Sequence, residues 1–162
     1  MGAGDVVEPL SGDGFVRVAD GSRRWGRYGA AGLLVRHVDA GTAAPSYFVA
    51  LRSQHCHMGG TWAVPGGALA HSETPVEAAV REFREEVGLH LAPADVAEIH
   101  EDDHGGWSYW TIVVDVAERF PLPTDTNWET AEVRWVAQDD LAELALLGPF
   151  RATLVRLGFL AG

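Results

Sequence analysis

The sequence predicts an α+β domain, and three observations carry that expectation. One segment, Thr74 to Gly88, has helix start and stop signals around a 3.6-residue apolar period. Several other segments are apolar, β-branched or aromatic runs separated by Gly- and Pro-bearing turns. At 162 residues, 47% of them apolar, the chain can bury one proper core, and no internal repeat divides it.

Taken in order, residues 1–13 are Gly-rich and acidic and are expected to form a partly disordered lead, with a single domain over 14–162. Tyr28 to Val38 (YGAAGLLVRHV) and Ser46 to Ser53 (SYFVALRS) read as strands, joined by a hairpin connection over 39–45. Gly59-Gly60 precedes a short strand, Trp62–Val64. In the helix that follows, Thr74 is a good N-cap and Pro75 suits the first helical position. Glu77 completes a T-x-x-E capping box, and Gly88 suits a left-handed stop. Val76, Ala79, Val80, Phe83 and Val87 gather on one stripe, the expected core face. Val96–Asp102 and Trp107–Val116 read as a second hairpin around His104-Gly105-Gly106. The loop PLPTDTNW leads to a last strand, Ala131–Val136. A helix is expected from Gln138, interrupted at Pro149, with a terminal helix over Phe150–Leu157.

The chemistry lies on the first helix. Glu82, Glu85 and Glu86 share an arc roughly 100° wide beside the core stripe. Glu82 meets Glu85 at i+3 and Glu86 at i+4, and each such like-charge pair costs a helix about 0.2–0.5 kcal/mol. Arg81 borders the arc but cannot separate all three acids, so a divalent cation is the obvious candidate to lie among them. Taken alone, such a cluster is usually a solvated acidic face. The wider pattern is more demanding: Glu73 lies six residues after Gly67, Arg81 eight after Glu73, and Glu82, Glu85, Glu86 and Gly88 follow. Seven specified residues at ordinary usage match a random window about one time in 10⁹.

This stretch, Gly67 to Leu89, resembles the Nudix box of the Nudix hydrolase superfamily, with Phe83 and Leu89 in its two bulky apolar slots. Trp62-Ala63-Val64-Pro65-Gly66-Gly67 matches the strand-then-Pro-Gly-Gly lead common in the family. The resemblance implies the Nudix fold, a mixed β-sheet sandwiched between α-helices. It implies that Glu82, Glu85 and Glu86 ligate Mg²⁺ or Mn²⁺ together with the Gly66 carbonyl, and that Glu73 pairs with Arg81 to hold the loop against the helix. All-oxygen donors suit hard Mg²⁺, which also binds phosphate oxygens. The implied reaction is metal-dependent attack of water on a nucleoside diphosphate linked to another moiety, with Glu85 or Glu86 the indispensable ligands.

Outside the box, the resemblance places Arg52 on substrate phosphate, against the plain reading of a strand-end arginine in solvent. Glu129, six residues before Trp135, matches a glutamate that joins the metal or activates water in the triphosphate-cleaving branch, and Glu132 competes for that role. Asp102, Asp103, Trp107 and Tyr109 crowd one hairpin tip and are expected to form a substrate wall, although alternation could send Trp107 and Tyr109 into the core. Trp25 with Arg23, Arg24 and Arg27 stays unassigned.

A net charge of −11 argues against long nucleic acid as the partner. It leaves a small nucleotide-type diphosphate open, because metal and a few arginines can meet its phosphates. The chain has no lysine, so every positive side chain is an arginine with a phosphate-matching fork. No apolar run or basic-then-apolar lead suggests a membrane or export, so a cytoplasmic protein is expected. Cys56 has no disulfide partner, and its neighbours His55 and His57 fall short of a zinc ligand set. The marks of coenzyme A, ADP-ribose and dinucleoside-polyphosphate subfamilies are missing, which leaves nucleoside triphosphates (oxidised ones included) and nucleotide sugars. A non-catalytic nucleotide sensor of the same fold is the alternative, and a homodimer stays open.

Overall fold

A computed structural model of the protein describes residues 10–92 and 95–162. The expected disordered lead, 1–13, therefore lies mostly outside the described residues. Its last four positions do not float free: the Arg27 N–H donates to Gly12 O and the His71 N–H to Leu10 O.

The strands are β1 (Phe15–Arg17), β2 (Arg23–Trp25), β3 (Ala30–Val38), β4 (Pro45–Arg52), β5 (Trp62–Ala63), β6 (Gly66–Ala68), β7 (Val96–Asp103), β8 (Ser108–Asp115) and β9 (Thr130–Ala137). Helix α1 (Pro75–Val87) lies between β6 and β7, and α2 (Gly148–Arg156) ends the fold. β1 and β2 form a separate hairpin, while the rest make one seven-stranded sheet. Its central path runs β5-β4-β3-β8-β7, with β6 on β3 and β9 on β4. The β3–β8 pair is parallel and the others are antiparallel, so the sheet is mixed, as expected.

Strand alternation divides the core into two layers. Leu33 and Val35 of β3 share one layer with Phe48, Ile112 and Val114, and α1 covers it with Ala78, Ala79, Phe83 and Val87. Phe48, Phe83, Phe120 and Trp135 form a continuous aromatic cluster there. Leu34, Tyr47, Val49 and Val113 face the other way and meet Leu141, Phe150 and Leu154. The sheet is thus sandwiched between helical elements.

The α1 caps form where expected. Thr74 Oγ1 accepts from the Glu77 N–H at 3.2 Å and donates to the Glu77 carboxylate at 2.9 Å. Gly88 takes φ 83° and its N–H donates to Arg84 O. Two expectations at the C-terminal end need correction. Gln138–Glu143 is a 3₁₀ turn rather than an α-helix: Ala137 offers no side-chain cap, and the segment serves to plug Leu141 into the core. Pro149 does not interrupt α2 but sits in its first turn, where its missing N–H is no loss.

Three short strands escape sequence periodicity. β1 and β2 are three residues each, and β6 (Gly66-Gly67-Ala68) pairs with Gly32-Ala31-Ala30 of β3. That pairing needs bare backbone, since a Cβ on Gly66 would fall 2.5 Å from Ala31 O and 2.7 Å from Gly32 Cα.

Candidate active site

Helix α1 lays its acidic arc against β6, and the three glutamates meet different fates. Arg81 is the organiser. Its Nε and Nη2 form a fork on Glu73 at 2.8 and 2.9 Å, and Nη2 also donates to Ala68 O at 3.0 Å. Glu73 in turn accepts from the Ala70 N–H, so loop 68–73 is clamped to the helix, as the resemblance implied. Burial alone would raise the Glu73 carboxyl, but Arg81 and the Ala70 N–H hold it below its ordinary value. The Arg81 guanidinium is stabilised in its charged form, first by Glu73 and then by Glu82.

Arg81 Nη1 donates to Glu82 at 2.9 Å and reaches Glu85 at 3.4 Å. Even so, burial keeps the Glu82 carboxyl above its ordinary value, with Glu85 and Glu129 adding to the rise. A Cβ on Gly67 would stand 2.5 Å from the Glu82 carboxyl, so glycine is what lets that carboxylate approach β6. Glu85 lies outward, its side chain 56% exposed.

Glu86 is the exception. It is only 7% exposed, and no arginine bonds its carboxyl. Burial, then the charges of Glu82 and Glu129, push it up to about 9, against partial relief from the Gly66 N–H and Arg52. A buried carboxyl without a cation is a costly arrangement for stability alone. Among the described residues no three acidic, His or Cys side chains already converge as a metal-ligand set. What exists is an all-oxygen donor collection: Glu86, Glu82, Glu129 and the backbone of Gly66. That chemistry fits a hard divalent cation, with the exposed Glu85 free to swing in.

The structure brings Glu129 and Arg52 to this centre. The loop before β9 is tied to α1 by the Asn127 N–H on Glu86 O at 3.0 Å. Glu129 O takes the Ser53 N–H at 2.8 Å, while its carboxylate has no hydrogen-bond partner among the described residues. Arg52 donates Nε to His57 O at 3.0 Å and directs its remaining charge toward Glu86 and Tyr109. Glu132 is elsewhere, exposed on β9 and paired with Arg134 at 2.6 Å. Cys56 is half-buried with its thiol donating to Glu129 O, and burial raises its pKa.

The expected substrate wall divides. Trp107 is buried, donates its indole N–H to Gly26 O at 2.9 Å, and packs under the β1–β2 hairpin with Val18 and Ala30. Asp103 accepts the Gly105 N–H and shapes the hairpin turn. Asp102 is held by Arg156 of α2 at 2.6 Å and by His104 at 3.0 Å. Tyr109 alone joins the carboxylates, its phenol raised by burial and then by Glu86. Sequence reasoning missed Gly32, whose bare backbone makes room for Tyr109 and Val64. The signal was there: an isolated glycine inside a strand marks a close approach.

Comparisons with known proteins bear on the family and the fold. The family model described as NUDIX domain matches residues 30–157. A Mycobacterium tuberculosis protein named "Putative 8-oxo-dGTP diphosphatase 3" is 43% identical over 152 residues, covering 90% of this chain and 69% of that protein. A Nudix hydrolase from M. smegmatis, RenU, has a crystal structure that matches with TM-score 0.75 at 40% identity, over 91% of this chain and 93% of that one. A nucleoside triphosphate pyrophosphatase/Nudix hydrolase fusion protein of Bifidobacterium longum is 35% identical over 138 residues, 84% of this chain but 29% of that protein.

Proposed function

The chain belongs to the NUDIX domain family, and from that premise we propose that it is a divalent-metal-dependent pyrophosphohydrolase acting on a nucleoside diphosphate linked to another moiety. The observation that carries this reading is Glu86, a carboxyl 7% exposed beside two further glutamates with no cation of the protein's own. Glu86, Glu82 and the Gly66 carbonyl, with Glu85, would hold Mg²⁺ or Mn²⁺. When bound, such an ion offsets phosphate charge and lowers the pKa of water.

The chain's own residues divide the remaining work. Arg81 and Glu73 keep loop 68–73 and the helix in register, so that Gly66 stays beside Glu86. Glu129 has an unpaired carboxylate at the centre, suited to join the ion or to take a proton from the attacking water. Arg52 supplies positive charge for the substrate phosphates. Tyr109 supplies the substrate side, while Asp102, Asp103 and Trp107 hold the β7–β8 tip that carries it.

Nucleoside triphosphates, oxidised ones included, are the favoured substrates, supported by the name of the M. tuberculosis relative. Nucleotide sugars are the second class to test. Hydrolysis of a diphosphate panel with Mg²⁺ and Mn²⁺, both fragments identified, tests the reading. Release of a nucleoside monophosphate and pyrophosphate is expected. No cleavage of any compound, with both metals present, would overturn it.

A further inference from the structure

Tyr109 stands differently from the other aromatics of the β7–β8 tip. Its ring leans on Trp107, centroids 6.4 Å apart, while its hydroxyl reaches away from that tip. Thr111 pairs with Gly32 in the parallel β8–β3 ladder, and Tyr109, two residues earlier, projects to the same face of the sheet. A Cβ on Gly32 would run into the hydroxyl oxygen, and one on Gly66 would stand 2.9 Å from it. Two paired glycines on β3 and β6 therefore open a slot for the phenol. At the end of that slot lies Gly66, whose backbone is close enough to Glu86 to lower its carboxyl.

The hydroxyl makes no hydrogen bond to any described residue, and it is not one of the sealed orphan atoms of the structure. An ordinary phenol is protonated at neutral pH. It is thus a neutral donor beside Gly66, on a half-buried residue. Stacking on a base requires an open ring face. An unused donor beside the carboxylates suits a different partner, an anionic oxygen.

We propose that the Tyr109 hydroxyl donates to a non-bridging oxygen of the diphosphate beside Gly66, positioning the phosphate chain rather than stacking on the base. This rests on the hydrolase reading of the site. A neutral donor suits this place because it steadies phosphate without competing with a cation for the glutamates.

Tyr109→Phe keeps the ring and removes only the donor. Calorimetry on the full chain, with Mn²⁺ first and then with imidodiphosphate (a non-hydrolysable diphosphate), separates the possibilities. The expected result is unchanged Mn²⁺ affinity and imidodiphosphate affinity weakened about tenfold, the ordinary worth of a hydrogen bond to a charged group. Turnover of a cleaved nucleotide should fall by a similar factor. Equal imidodiphosphate affinity in the two proteins overturns the proposal, as does weakened Mn²⁺ binding, or a wild type that binds no imidodiphosphate. Failure of the hydrolase reading looks different: wild type would bind both probes yet cleave no compound of the panel.

Discussion

The two flanks of the acidic arc on α1 are built from the same residue type and treated in opposite ways. On one flank Glu73 and Glu82 share Arg81, with nitrogen–oxygen distances of 2.8–2.9 Å. On the other, Glu86 is more deeply buried and receives no arginine. The first arrangement completes its own charge balance and holds the box loop on the helix. The second leaves the balance to something outside the chain. The difference separates a structural ion pair from the position at which the proposed cation would sit.

The comparison breaks most sharply at the unpartnered flank. Glu86→Gln should lower kcat by about 10³-fold or more, because it removes the anionic carboxylate proposed to hold the ion. Glu85→Gln should abolish turnover too, with the fold intact. Thermal melting of the metal-free proteins then distinguishes them: only the buried position should respond to the lost carboxyl, since Glu85 is solvated. Activity near wild type in either variant would remove that residue from the site.

At the partnered flank the loss should be one of stability first. Arg81→Met leaves Glu73 and Glu82 without their cation. Breaking a buried pair costs about 3–5 kcal/mol, and the partly exposed guanidinium reduces this to about 2–3 kcal/mol. Urea unfolding at pH 7 measures it. A variant as stable as wild type would mean that the fork contributes nothing to holding the loop.

The flanks should also answer pH with opposite signs. Glu86 titrates near 9 in the folded metal-free protein against an ordinary 4.5, so between those values the folded state holds the extra proton. Stability of the metal-free protein should therefore fall as pH rises through that window, by up to about 1.4 kcal/mol per pH unit from this group alone. Glu73 is held below its ordinary value, so its contribution is present above that value and is lost as pH falls through the folded pKa. Urea midpoints from pH 4 to 9, with and without Mg²⁺, test both signs. A midpoint that does not fall toward pH 9 without metal would mean that Glu86 is not buried in solution.

The smallest effect is the control. Glu132→Gln should leave activity unchanged and shift stability by less than about 0.5 kcal/mol, because its partner Arg134 is as exposed as it is. Loss of turnover there would return Glu132 to the site in place of Glu129.

Helix α1 was legible from sequence because everything that makes it is local: a Thr-Pro start, an apolar period and a glycine stop within fifteen residues. The long strands β3, β4, β8 and β9 were legible for the same reason, each within two residues at either end. β6 was not, because Gly-Gly-Ala has no strand character until β3 lies beside it. Nor was the 3₁₀ form of 138–143, which depends on seating Leu141. At the site, the spacing of the acids marked the cation chemistry, and the family resemblance implied the Glu73–Arg81 clamp. It did not show that Arg81 also takes up Glu82, leaving Glu86 alone.

The sequence by itself therefore determined the acidic helix with its caps and, through the motif it resembles, the family and its class of chemistry, since these depend on residues a few positions apart. Only the tertiary structure decided which carboxyl stays without a cation, that Glu129 rather than Glu132 joins it, and that Tyr109 reaches the same place past Gly32. Those outcomes depend on burial and on contacts between residues far apart in the chain. Spacing along a sequence carries no record of either.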